Sequence, residues 1–199
     1  MMSPNYWPFY LSGVFAIYSK HFVTYKNKHI FNPANFGTVF MLIFFADFVQ
    51  PSAAYWSGYS FLAPYIFIVG LILAFLVNRL VLCLSYLGFL TLSYLLVVQL
   101  GVVNAPVPNF SWLLVFNPSF MLFVFFMITD PRTTPNKIKN QMVFAFGMSA
   151  FDIIFFNYLP RIIPLGSLFM MCLLYNFLIP VLTDLYKEIV LKVKMRPAL

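Results

Sequence analysis

This chain has very little charge. Of its 199 residues only 9% are Asp, Glu, Lys or Arg, and just 5 are acidic. A soluble helical core requires polar faces recurring at helical period, and so few charges cannot supply them. Cysteine is scarce as well: Cys83 and Cys172 are the 2 present, in separate apolar runs, with no C-x-x-C. Two lone thiols cannot hold an iron–sulfur cluster or a structural zinc, so membrane packing is their expected role. No metal site and no catalytic constellation is expected. No basic segment precedes the first apolar run, which speaks against a cleavable signal peptide. The connectors between apolar runs are short, so no soluble domain is expected to carry separate chemistry.

What fills the chain is apolar: 62% of residues are hydrophobic. The runs span residues 7–19, 33–48, 61–77, 81–100, 110–129, 141–158 and 165–182. Crossing a hydrocarbon core of about 30 Å takes roughly 20 helical residues, with about 17 as a lower limit. The last five runs meet that length, while the first two are shorter and suit a truncated span and a tilted or half-length one. The expectation is an all-α, polytopic integral membrane bundle of about seven transmembrane runs. It forms a single membrane domain over 1–199, with a basic tail over 183–199.

The basic residues orient that threading. Lys20, Lys26, Lys28, Arg79, Arg132, Lys137, Lys139, Lys187, Lys192, Lys194 and Arg196 all fall on one face, and Arg161 alone falls on the other. The positive-inside rule makes the crowded face cytoplasmic, which puts the N-terminus outside and the C-terminus in the cytoplasm. The net charge of +7 is then a topology signal and a contact for anionic membrane lipids, not a nucleic-acid footprint.

Two polar edges face the cytoplasm in this frame. The first reads Lys28-His29-Ile30-Phe31-Asn32-Pro33-Ala34-Asn35-Phe36-Gly37. Asn32 before Pro33 is a strong helix start, an N-cap followed by proline at the first helical position. Ala34 and Gly37 allow another backbone or a flat ligand to approach, and Asn35 lies in the first turn. Exposed N–H groups at such a helix end favour anions, phosphates included. A capped helix beside a solvated charge cluster is the plainer alternative. The second edge reads Thr129-Asp130-Pro131-Arg132-Thr133-Thr134-Pro135, where two prolines and an Asp stop a helix. It is either a simple turn or the second wall of a site shared with Asn32 and Asn35.

Phe31-Asn32-Pro33 and Phe116-Asn117-Pro118 each precede a Phe- and Met-rich run ending in Asp47 or Asp130. The copies enter from opposite sides, as in an inverted-topology repeat, although a chain with 26 Phe also produces short matches by chance. Pro118 should kink or break the fifth run. Asp152 lies in the middle of the sixth run. A carboxyl in hydrocarbon is expensive and should face the bundle interior. It is either a proton or cation relay or one buried polar group bonded to Asn78, Gln99 or Asn176.

Taken together, these motifs resemble the RnfD/NqrB family of membrane electron-transport subunits. Lys28 to Gly37 resembles that family's helix entry, Thr129-Asp130-Pro131 its Asp-Pro turn, and Asn176 to Pro180 its last span. The likeness covers Ser19 to Asp184 in the family's order, and it is nearest to a short RnfD-like branch that includes membrane proteins of enediyne-type gene clusters. It implies a multi-pass subunit of the bacterial inner membrane, working beside other subunits in an ion-motive complex linked to NADH, ferredoxin or quinone. It also implies a flavin site, carried onto Asn32, Asn35, Asp130, Arg132 and Thr133. The sequence departs from the family where FMN is attached through a threonine: Gln50 to Ser60 contains none. Any FMN or riboflavin is therefore expected to be held non-covalently. The alternative is a small non-redox transporter or an accessory membrane protein, favoured by Asp152 and by the missing threonine.

Overall fold

A computed structural model describes residues 3–49, 60–99, 118–158 and 165–194. Among these the chain is mostly helical, with seven helices. Helix α1 is Trp7–Phe22, α2 Pro33–Phe44, α3 Ala63–Leu76, α4 Leu80–Gln99 and α6 Ile138–Tyr158. Helix α5 runs Pro118–Leu122 and continues through a π-turn, Phe123–Met127. Helix α7 runs Leu165–Leu173, passes through a second π-turn, Leu174–Leu178, and continues as Ile179–Lys194.

Local chemistry explains the helix ends. Asn32 caps α2 as its sequence suggests, its side chain accepting the Asn35 N–H at 3.2 Å with proline behind it. Asn78 closes α3 in the left-handed region, φ 57°, a conformation that Asn tolerates and that suits a helix C-terminus. The stretch between α1 and α2 was expected to be a plain connector. It is instead a tight hairpin, Thr24–Tyr25 paired antiparallel with Lys28–His29. Lys26 and Asn27 turn it with φ 50° and 61°, the positive values that a two-residue hairpin turn requires.

Several expected boundaries shift. Helix α1 extends three residues past the expected run, to Phe22. Helix α2 stops at Phe44, short of the run's end at Phe48. Pro118 is the first described residue of α5, and residues 110–117, on the other side of the expected kink or break, lie outside the described set. Helix α7 carries the first part of the basic tail, to Lys194. Among the described residues one segment, Leu165–Lys187, is long and apolar enough to cross a membrane, at 23 residues. Pro33–Phe44, Ala63–Leu76, Leu80–Leu96 and Pro118–Met127 are apolar but shorter.

Packing falls into two clusters. The larger gathers Tyr86, Phe125, Ile128, Phe144, Met148 and Leu168 between α4, α5, α6 and α7. The smaller holds Met41, Leu42 and Val49 against α1. Close approach depends on glycine at two places. A Cβ on Gly37 would lie 2.2 Å from the Ser12 carbonyl oxygen of α1, and one on Gly70 would lie 2.5 Å from Phe125 Cβ of α5. Outward faces carry large apolar side chains, such as Tyr65, Ile68, Ile72 and Phe75 on α3.

Candidate functional site

The two polar edges meet. Asp130, in the turn after α5, accepts three hydrogen bonds on its carboxylate. Asn32 Nδ2 donates to Oδ2 at 3.1 Å, Thr133 Oγ1 donates to Oδ2 at 3.1 Å, and the Arg132 N–H donates to Oδ1 at 3.0 Å. Its backbone carbonyl accepts the Thr134 hydroxyl at 2.6 Å. The Asn32 amide is thereby used at both ends, capping α2 with its oxygen and gripping Asp130 with its nitrogen.

Helix α7 closes the cluster. Asn176, inside the second π-turn, donates to the carbonyls of Ile30 at 2.9 Å and Thr133 at 2.8 Å. One amide therefore ties the chain before α2 to the turn after α5. A π-turn widens the backbone by one residue and often marks a functional position. Cys172, buried one turn earlier, places its thiol 3.9 Å from the Thr133 carbonyl. Phe169 of α7 stacks on Phe31 at a centroid distance of 4.3 Å and lies 5.9 Å from Phe36, which adds an aromatic flank.

Of the expected site residues, Asn32 and Thr133 each donate to Asp130, and Arg132 joins through its backbone while its side chain is exposed. Asn35 is different. It is fully buried, at 0% exposure, and neither Nδ2 nor Oδ1 has a partner among the described residues. Burying an amide with no hydrogen bond costs about 1–3 kcal/mol, so a native Asn in this state calls for an explanation. The Nδ1 of His29, on the same edge, is also buried without a partner. Chemically the cluster suits recognition rather than proton transfer. The Asp130 acceptors are engaged internally, whereas the Asn35 amide and the Arg132 guanidinium keep free donors.

Sequence reasoning missed the residue that fixes this turn in place. Arg79 reads as one more cytoplasmic charge, yet it is buried, with 2% exposure. Its Nε donates to Thr134 Oγ1 at 3.1 Å, and Nη2 reaches the Thr134 carbonyl at 3.4 Å, the Pro131 carbonyl at 3.5 Å and the Asn136 side-chain oxygen. Gln141 adds a bond from Nε2 to the Asn78 carbonyl at 2.8 Å. Burial pulls the guanidinium below its usual value while Asp130 acts in the opposite sense; an arginine stays charged through such a shift. The only available hint was that Arg79 stands alone between two apolar runs, where a topology signal needs no buried partner.

A lesser contact links the hairpin to α7. Lys26 pairs with Asp184, and the Tyr25 hydroxyl donates to the same carboxylate at 2.9 Å. Both charged side chains are exposed, so this contact orients the hairpin more than it stabilises it.

Asp152 faces the interior, as a carboxyl in an apolar run should, but its partner differs from those expected. Tyr86 of α4 donates to Oδ2 at 2.6 Å. Asn176 is committed to the Asp130 cluster, and the Asn78 carbonyl is taken by Gln141. Asn117, Arg161 and the whole of Gln50 to Gly58 lie outside the described residues.

No family model matches the chain, and no curated protein or solved structure matches it either.

Proposed function

We propose that this chain is a multi-pass integral membrane protein of RnfD-like type that binds a flavin, FMN or riboflavin, non-covalently at its cytoplasmic edge. On this reading it serves as a subunit of an ion-motive electron-transport complex. The observation that carries the proposal is the Asn32–Asp130 bond. The two segments that bear the family resemblance lie 98 residues apart in sequence, and they form one polar cluster. Asn35 supports it as an amide kept buried and unsatisfied beside a helix N-terminus. Phe36 and Phe169, each half-buried, offer ring faces to a planar ligand. Arg132, exposed beside Asp130, is placed to meet a phosphate.

The same reading threads the helices through a bilayer with the basic residues inside and the N-terminus outside. The exposed apolar faces of α1 and α3 then meet lipid tails, and the basic edge meets anionic headgroups.

Titrating FMN into the detergent-purified protein tests the site. Flavin fluorescence should be quenched saturably, and Asn35→Ala and Arg132→Ala should each weaken binding about ten- to a hundredfold, the worth of one hydrogen bond to a charged group, about 1.5–3 kcal/mol. Their combined loss should differ from the sum, because both act on one ligand. Asn35→Ala should also leave the ligand-free melting temperature unchanged or raised, since it deletes an unsatisfied buried amide. On a denaturing gel no fluorescent band should remain. Absence of saturable quenching would refute the flavin reading, and a fluorescent band surviving denaturation would refute the non-covalent one.

A further inference from the structure

Asp152 is the one acidic side chain buried within the helices among the described residues, with 3% exposure. It lies on α6, about two thirds of the way along Ile138–Tyr158, where α6 packs between α4 and α7. Tyr86 of α4 donates a short bond to Oδ2 at 2.6 Å and is itself fully buried. Ser167 of α7, also fully buried, faces the same pair. The second carboxyl oxygen, Oδ1, is buried with no hydrogen-bond partner.

Among the described residues no cation pairs with this carboxyl. The described arginine in the interior, Arg79, is committed to the turn after α5, and every described lysine is exposed where its exposure is defined. Three further titratable groups on the packed helices have partners of their own. Cys83 of α4 donates to the Val124 carbonyl at 3.2 Å, Cys172 of α7 faces the Thr133 carbonyl, and Tyr175 of α7 accepts from Asn140. An ionised carboxylate in a dry site without a counter-charge is strongly disfavoured, yet a purely structural acceptor for Tyr86 would need no acid. An Asn would serve that role without the penalty.

We propose that Asp152 is a proton-binding site within the helix bundle, taking up a proton on Oδ1 and releasing it as a carboxylate that Tyr86 and Ser167 stabilise by donation. Tyr86 is a positioning residue: its hydroxyl favours the ionised form and sets the pH at which the proton leaves. The unpartnered Oδ1 is the oxygen left free to carry it. The proposal rests on the membrane reading but not on the flavin site. Resistance of the protein to alkaline carbonate extraction from membranes checks that reading separately.

Dicyclohexylcarbodiimide, an apolar reagent that modifies protonated carboxyls in apolar surroundings, tests it on the wild-type protein in membranes. Peptide mass spectrometry should find Asp152 modified, with a yield that falls through a single titration as pH rises. Sodium at constant pH should leave the yield unchanged. Tyr86→Phe should move the midpoint upward by about one to two pH units, the equivalent of one hydrogen bond to a charged group. Asp152→Asn should abolish labelling of that peptide and remove the matching carboxyl C=O band from the infrared spectrum. Asp152 unmodified across the whole pH range, a yield that does not change with pH, or protection by sodium would each overturn the proposal. The infrared band of the wild type supplies the same answer should the variants fail to fold.

Discussion

Gly37→Val is expected to cost this protein more than any other single methyl-scale change. The Cβ alone would lie 2.2 Å from the Ser12 carbonyl oxygen and 3.1 Å from its carbon. Both are backbone atoms of α1, so no rotamer can relieve the clash, and α1 and α2 must separate. Overpacking a close contact costs about 1–3 kcal/mol and occasionally more, and a rigid backbone on the other side places this site at the upper end. The smaller cluster around Met41 and Leu42 would open with it. Gly88→Ala is the control. Its Cβ meets nothing within 4 Å, and replacing glycine by alanine in a helix should stabilise by about 0.5–1 kcal/mol. Thermal unfolding in detergent should therefore move down for Gly37→Val and slightly up for Gly88→Ala. A Gly37 variant that melts like the parent would mean that α1 does not lie against α2 as described.

The second large effect belongs to Arg79. If its charge served only to orient the chain, Arg79→Ala and Lys139→Ala would behave alike. Lys139 is exposed, and a surface substitution of that kind is usually within about 0.5 kcal/mol of neutral. Arg79 instead holds the Thr134 hydroxyl and carbonyl, the Pro131 carbonyl and the Asn136 side chain from a buried position. Removing it leaves buried acceptors without a donor, at a cost of about 1–3 kcal/mol for each group so orphaned. Arg79→Lys should recover little, because an ammonium cannot reproduce the planar fork. The expected result is a large fall in melting temperature for both Arg79 variants and almost none for Lys139→Ala. FMN affinity should fall with them, since the turn carrying Asp130 and Thr133 loses its anchor. Equal melting temperatures for the Arg79 and Lys139 variants would contradict the buried network.

Much of this arrangement was legible because its signals are local. The Asn-Pro start of α2, the Asp-Pro stop after α5 and the apolar runs each depend on neighbours within a turn or two, and each element forms near where its residues indicate. That Asn32 and Asp130 would face each other was inferable only from the expected threading, and their direct bond follows from α2 packing on α7 and from Asn176 of α7 holding the turn after α5. Three features were not readable. Arg79 looks like any loop charge until its burial is known. Tyr86 sits in a run where tyrosine is an ordinary apolar residue, and only the packing of α4 on α6 brings it to Asp152. The hairpin at Lys26-Asn27 lacks the glycine that usually announces such a turn, so its left-handed pair carried no sequence mark.

The proposed membrane threading underlies both proposed sites, and cysteine accessibility measures it directly. With Cys83 and Cys172 replaced, single cysteines go in at Asn27, Asn136 and Lys194 on one predicted face and at Ser57 and Asn104 on the other. An impermeant maleimide added to intact cells should label only Ser57→Cys and Asn104→Cys, and the remaining three should react only after the membrane is opened. The proposed threading puts eleven basic residues on one face against one on the other, and the positive-inside rule sets the expected direction. Labelling of Asn136→Cys in intact cells would place the Asp130 turn on the outer face, separate it from a cytoplasmic flavin site, and contradict the account.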